Sequence, residues 1–381
     1  MLDLRPDFSR FLGSDPGRLH FAAHSHHPWP DVTREAHLQA WEDAARLMDD
    51  KWETVLGPVL EEFRAHAAAH LSLPDPGTIA IAPNTHEFVK RILSCFPDGR
   101  PTRILTTDSE FHSFSRQVAR LEEDGLVSVT RVPAEPFDTF EDRLLAKAAG
   151  QDLIFVSQVF FNSGFAVDID RLLEAPEDAM IVVDGYHGFM ARPTSVASLA
   201  SRIFYLAGGY KYAMAGEGAC FMHCPPGWGP RPRDTGWFAA FGNLTGAQSG
   251  WIGYSEDGWR FMGSTFDPSG LYRFNAVMRW LSERHMTPQI IHEHSLDLQE
   301  RFLVSGARAL GLDAQAHAGL PARDRRGNFL SLEMSDAGKV YGLLKSRNVV
   351  TDYRNDRLRI GFGIYQNMDD VDALVSRLGE P

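Results

Sequence analysis

The run Ile203-Phe204-Tyr205-Leu206-Ala207 leads into Gly208-Gly209-Tyr210-Lys211-Tyr212-Ala213-Met214-Ala215-Gly216-Glu217-Gly218, and its reading decides the fold. Five apolar residues before a glycine-rich turn predict a buried strand ending near residue 207. The turn then holds one lysine among small residues. A lysine is ordinarily a solvated surface group. Where burial lowers its pKa, the amine becomes nucleophilic. The chemistry of Lys211 therefore depends on what other strand ends bring beside it.

Upstream, apolar runs alternate with helical stretches. Residues 78–82, 103–107, 127–132, 153–159 and 180–184 read as strands, separated by helical patterns over 87–93, 114–125, 137–149 and 169–173. Such alternation predicts an α/β fold with a mainly parallel sheet covered by helices on both faces. Ligands in these folds gather at the carboxyl ends of the strands. Asn84, Phe111, Ser157, Asp184 and Lys211 all fall at or just past those ends.

Residues 32–70 carry apolar residues at helical spacing, with Pro58 expected to kink or divide the region. After residue 275 the pattern changes. A long amphipathic helix is expected over 271–284 and another over 288–310. Short strands follow at 328–333 and 357–362, with helices over 337–347 and 368–378. This predicts an N-terminal segment (1–30), a large domain (31–275) and a smaller α+β C-terminal domain (276–381), with the N-terminal segment free to pack against the last.

The 381 residues are 44% hydrophobic and 23% charged, with formal net charge −12. An acidic chain without a basic patch argues against nucleic-acid binding. Its three cysteines, Cys95, Cys220 and Cys224, form no CxxC pair, which points to free thiols in a reducing compartment. No uncharged apolar run approaches the ~20 residues of a membrane span. A cytoplasmic protein is expected. His20, His24, His26 and His27 cluster near the start. They allow a metal site, but no Cys, Asp or Glu joins them at ligand spacing. A segment folding over the active site or a subunit contact is the simpler reading.

Asp184-Gly185-Tyr186-His187 precedes Lys211 in the chain. Taken singly, Asp184 could be a helix cap or metal ligand and His187 a satisfied core histidine. As an ordered set on successive strand ends they suit pyridoxal 5′-phosphate. That cofactor needs a lysine, an acid that keeps its pyridine nitrogen protonated, an anion site and an aromatic neighbour. Lys211, Asp184, the helix start at Asn84-Thr85, and Phe111 or His112 answer those needs.

From about residue 18 to 378 the chain resembles the class V aminotransferase group of fold-type I pyridoxal-phosphate enzymes, and within it kynureninase. Asp184-Gly185-Tyr186-His187 resembles an Asp-x-x-His motif, and Tyr210-Lys211-Tyr212 a Ser-Tyr-Lys-Tyr motif. The resemblance implies Lys211, Tyr210 and Asp184 as catalytic residues. Asn84, Thr85, Phe111, Ser157, His187, Trp237 and Thr265 would join them in holding the cofactor. Trp237, in Gly236-Trp237-Phe238, would reach the phosphate. So would Thr265, from the neighbouring subunit of a homodimer. Arg359 would grip the substrate's α-carboxylate, a bidentate task suited to a guanidinium.

The chain also departs from the pattern. His112-Ser113-Phe114 stands where kynureninases tend to carry Pro-Ser/Thr-Asp, so an acidic contact is expected to be missing. No Asn lies near Arg260-Phe261-Met262-Gly263 to recognise an aryl group. His24-Ser25-His26-His27 replaces Asn-Ser-Leu-Gly. Trp237, Trp251, Tyr254 and Trp259 suggest an aromatic-lined region.

The implied reaction is hydrolytic cleavage of the Cβ–Cγ bond of kynurenine or a related aryl amino acid. The alternative is a class V aminotransferase, epimerase or β-lyase. A non-catalytic pyridoxal-phosphate-fold regulator is disfavoured by the presence of Lys211 and the lack of a basic arm. A cysteine desulfurase is disfavoured because residues 225–381 hold no cysteine to carry sulfur.

Overall fold

In a computed structural model, residues 3–227, 230–240, 252–310 and 319–379 are described. The N-terminal segment supplies β1 (Leu19–His20). The apolar runs then form β2 (Ile79–Ala82), β3 (Thr102–Thr107), β4 (Val127–Val132), β5 (Leu153–Ser157), β6 (Met180–Asp184), β7 (Ile203–Gly208) and β8 (Cys220–His223). The C-terminal part adds β9 (Phe329–Glu333), β10 (Val349–Val350), β11 (Asp352–Arg354) and β12 (Arg357–Gly361).

Strands β2 to β8 build one sheet in the order β2-β8-β7-β6-β5-β3-β4. β4, β3, β5, β6 and β7 run parallel. β8 is antiparallel to both its neighbours. Strands β5 and β7 are buried at every residue, as expected for a sheet covered on both faces. This is the α/β architecture the alternation predicts. β8 is the addition. It turns back from β7 through the lysine loop, so the loop is held between two hydrogen-bonded strands.

Pro58 falls where the expected long helix breaks. Helices Val32–Leu47 and Leu60–Leu71 flank a π-turn over Val55–Val59, with Gly57 off helical geometry. The helix expected over 271–284 is Ser269–Glu283, and it is buried on more than its apolar face. Twelve of its residues are buried. One side packs along Val32–Leu47, and at Gly270 it meets the lysine loop. A Cβ there would lie 2.7 Å from the backbone carbon of Gly218.

Two main cores result. The larger surrounds the seven-stranded sheet and takes in Phe63, Phe204, Phe221, Phe274 and Met278. The second joins Leu298, Leu330, Leu358, Ile360 and Leu374 around the β11-β12-β9 sheet. Phe21 of the N-terminal segment belongs to this second core. β1 pairs with β10 and Ala22 bridges Gly361. Tyr365 reaches back the other way, its hydroxyl donating to the His20 carbonyl (3.0 Å) and meeting His20 Nδ1 (2.6 Å). Among the described residues no helix is long and apolar enough to cross a membrane.

Candidate active site

A cavity of about 610 Å³ opens at the carboxyl ends of the parallel strands. That is large enough for a cofactor with a small substrate. Asn84, Thr85, Phe111, Ser157, Asp184, His187, Tyr210, Lys211 and Arg359 all line it. The strand-end residues predicted from sequence thus meet at one place.

Lys211 follows β7 and is 7% exposed. Its amine donates to His187 Nε2 at 2.5 Å. The nitrogen lies 5.7 Å from the Phe111 ring and 5.8 Å from the Tyr186 ring. Burial, then the Arg359 charge, lower its pKa to about 7, against a partial offset from Asp184. At neutral pH a large share of Lys211 is therefore the free amine. Burial, then Lys211 and Arg359, push His187 well below its ordinary value. His187 is neutral, and its hydrogen bond to the His24 backbone leaves Nε2 as the acceptor for the lysine.

Asp184 closes β6. Its Oδ1 accepts the Tyr186 N–H (2.9 Å), and burial raises its pKa to about 6. The Asp-Gly pair has a steric cause, since a Cβ at Gly185 would fall 2.0 Å from the Tyr205 hydroxyl. Ser157 closes β5 and is the register partner of Asp184. Paired residues of parallel strands point to one face, which brings both side chains into the cavity.

Asn84 caps the helix Thr85–Leu93, its Oδ1 accepting the Glu87 N–H (3.1 Å). The helix start faces the cavity and offers an anion its positive end. Phe111, not His112, lines the wall. Tyr210 is half-buried, and burial raises its pKa. Its hydroxyl lies 3.4 Å from His26 Nδ1. Ser25 also lines the cavity, so the histidine-rich segment folds over the site. His24 is buried and stacks on Phe329 at 4.7 Å.

Arg359 comes from β12. Its Nη1 donates to the Phe161 carbonyl (2.7 Å) and its Nη2 to Asp352. Its Nε is buried without a partner. A buried guanidinium N–H left unpaired is costly and is suited to an anionic ligand.

Two predicted residues stand apart. Trp237 is 44% exposed and stacks on Phe238 at 4.0 Å. Thr265 is exposed. Neither lines the cavity of this chain. Of the aromatic residues suggested as a lining, Tyr254 and Trp259 do not line it either, and Trp251 lies outside the described residues.

Seven further lining residues went unpredicted, among them Tyr186, Phe161 and Arg354. Arg354 had a signal in Asn355-Asp356, which forms the tight turn between β11 and β12, with Asn355 at φ 52°. Phe114, in the run that departs from the kynureninase pattern, is core, stacked on Phe155 at 3.6 Å. Glu110 went unpredicted too; it lies against Ser157, its Oε2 accepting the serine hydroxyl (2.6 Å).

These elements make a pocket that fits pyridoxal phosphate. It has a buried amine, an acid on the adjacent strand, an aromatic wall, a helix N-terminus for a phosphate and a buried guanidinium with an unpaired N–H.

Comparison with known proteins supports the match. Residues 291–378 match the family model of the kynureninase C-terminal domain. Kynureninase from Geobacillus thermodenitrificans (strain NG80-2) is 25% identical over 297 residues, 71% of this chain and 64% of that protein. The match therefore spans less than two thirds of the relative's length.

Among solved structures, the apo cysteine desulfurase of Thermococcus onnurineus NA1 superposes with a TM-score of 0.81. It covers 99% of this chain and 96% of its own at 17% identity. The cystine C–S lyase C-DES, in complex with cysteine persulfide, gives 0.81 at 16% identity, covering 95% and 97%. The chain thus shares its fold with these pyridoxal-phosphate-type proteins over nearly its whole length, and residues 291–378 carry the match to the kynureninase C-terminal domain.

Proposed function

We propose that this fold-type I pyridoxal-phosphate enzyme acts on an amino acid and hydrolyses the Cβ–Cγ bond of kynurenine or a related aryl amino acid. One observation carries the reading. Lys211, on the sheet side, and Arg359, from the part that matches the kynureninase C-terminal domain, face one cavity. In this reading residues 31–275 hold the cofactor and residues 276–381 hold the substrate's carboxylate.

Lys211 would hold the cofactor, with Asp184 at its ring nitrogen, Phe111 on its face and the Asn84-Thr85 helix start at its phosphate. When bound, pyridoxal phosphate supplies an electron sink for negative charge developing at the substrate Cα. The chain's own groups supply the proton transfers. Lys211, with its pKa near 7, is poised to take the Cα proton at neutral pH. His187 accepts from the amine and fixes its direction. Water adds to the γ-carbonyl, the Cβ–Cγ bond breaks to release the aryl acid, and Tyr210, whose phenol stays protonated, is the candidate proton donor to the Cβ left behind. Arg359 anchors the α-carboxylate through Nε. The products would be alanine and an aryl acid.

The reading includes a cytoplasmic homodimer. Thr265, exposed and outside this cavity, would serve the neighbouring subunit. Sedimentation of the purified protein as a monomer would remove that part.

The direct test is incubation of the purified protein, loaded with pyridoxal phosphate, with kynurenine or 3-hydroxykynurenine. Fluorescent anthranilate or its hydroxylated form is expected. No aryl acid from either substrate would sink the kynurenine reading. Pyruvate or a 2-oxo acid from another amino acid would assign the site to elimination or transamination.

A further inference from the structure

Glu110 is used by none of the steps above. It is 4% exposed and lies one layer below the cavity. Its Oε2 accepts the Ser157 hydroxyl (2.6 Å). Its Oε1 accepts the Thr107 hydroxyl (2.7 Å) and the Ser157 N–H (3.2 Å). Thr107 Oγ1 already accepts the Ser109 N–H (3.0 Å), which leaves its own proton for Glu110. The carboxylate thus meets three donors. A serine hydroxyl has one proton and two lone pairs. With that proton committed to Glu110, Ser157 can meet the cavity only as an acceptor.

We propose that Glu110 is a positioning residue which takes the Ser157 proton and makes Ser157 an acceptor-only contact for the group bound beside Asp184. The ligand atom facing Ser157 Oγ is then an N–H or O–H donor. This rests on the pyridoxal-phosphate reading of the site.

The effect depends on pH. Burial raises Glu110 to about 7, the Ser157 and Thr107 hydroxyls draw it down, and the Asp184 charge adds to the rise. Beyond Asp184, the cavity brings Lys211, His187 and Arg359 from β7, β6 and β12. The acceptor state needs ionised Glu110. It is therefore complete above that midpoint and lost below it, where a protonated Glu110 can donate to Ser157 and release the serine proton toward the cavity.

Glu110→Gln is a near-isosteric inversion. The amide oxygen can serve the two donors at Oε1, while the amide N–H₂ faces Ser157 Oγ and turns the serine proton outward. Apoproteins of the wild type, Glu110→Gln, Ser157→Ala and the double variant are titrated with pyridoxal phosphate about a unit above the Glu110 midpoint. Glu110→Gln is expected to weaken binding about tenfold, equivalent to ~1.4 kcal/mol, and to have no further effect once Ser157 is alanine. Losses of equal size with and without Ser157, or no loss, overturn the proposal.

If Glu110→Gln does not fold, the wild type and Ser157→Ala decide between themselves. The wild-type advantage in affinity must shrink as pH falls through the Glu110 midpoint, and a constant ratio overturns the proposal. A wild-type apoprotein that does not bind pyridoxal phosphate overturns the cofactor reading itself. Binding without coupling overturns only the role of Glu110.

Discussion

Lys211 owes its chemistry to its neighbours. Its ordinary pKa of 10.5 is lowered to about 7 in the folded chain, so protonation silences it below that value and the free amine prevails above. Uptake of pyridoxal phosphate by the apoprotein, followed by visible absorption, should therefore quicken as pH rises through about 7 and level off beyond it. Lys211→Ala should abolish both covalent uptake and turnover. Arg359 presents the complementary case. Arg359→Lys keeps the charge but loses the planar fork. It should raise KM roughly hundredfold, in the range for breaking a buried charged hydrogen bond, with a smaller change in kcat. Steady-state kinetics on any accepted amino acid would show it. Glu110 escaped the sequence because its role lies in contact with Ser157, 47 positions away. No local pattern carries such a pairing. Trp237 lies outside this chain's cavity, as does Thr265, which is expected to serve the neighbouring subunit. A motif fixes position along the chain, but not which way an exposed side chain faces or which subunit it serves.

At the scale of elements, the parallel strands were legible because each is a short apolar run bounded by turn residues, and burial on both faces demands such runs. β8 was not. Cys220-Phe221-Met222-His223 is only four residues and mixes in a histidine. That histidine is satisfied by Thr78 Oγ1 (2.9 Å) and the Ala200 carbonyl (2.8 Å), partners that only the fold supplies. The helix Ser269–Glu283 was legible as a helix but not as a buried one. Its Gly270 presses on Gly218, which lines the cavity. Gly270→Ala gains about 1 kcal/mol of helix propensity. The clash with backbone costs about 1–3 kcal/mol and should prevail. A lower melting temperature together with weaker pyridoxal-phosphate binding is expected. Asn84→Ala removes the cap of Thr85–Leu93 and should cost about 1 kcal/mol, measured by thermal or denaturant unfolding of the apoprotein.

Across the whole molecule, segments far apart in sequence are tied together. Tyr365→Phe would remove the hydroxyl that bonds the His20 carbonyl and His20 Nδ1. The carbonyl keeps the Gln366 amide (2.7 Å), but leaving the part-buried Nδ1 without its partner should cost about 1–3 kcal/mol, read as a drop in unfolding free energy. The same tie has a kinetic side. His20 and Tyr365 are 345 residues apart, and Ser25 and Arg359, at similar separation, line one cavity. A ribosome delivers Ser25 long before Arg359. The seven-stranded sheet can form while the chain is still emerging, but the cavity cannot close over its ligand until Arg359 has been made. Until then the nascent chain carries a reactive amine at an open strand end. Encounter with the cofactor at that stage would lack both the N-terminal cover and the guanidinium that complete the site.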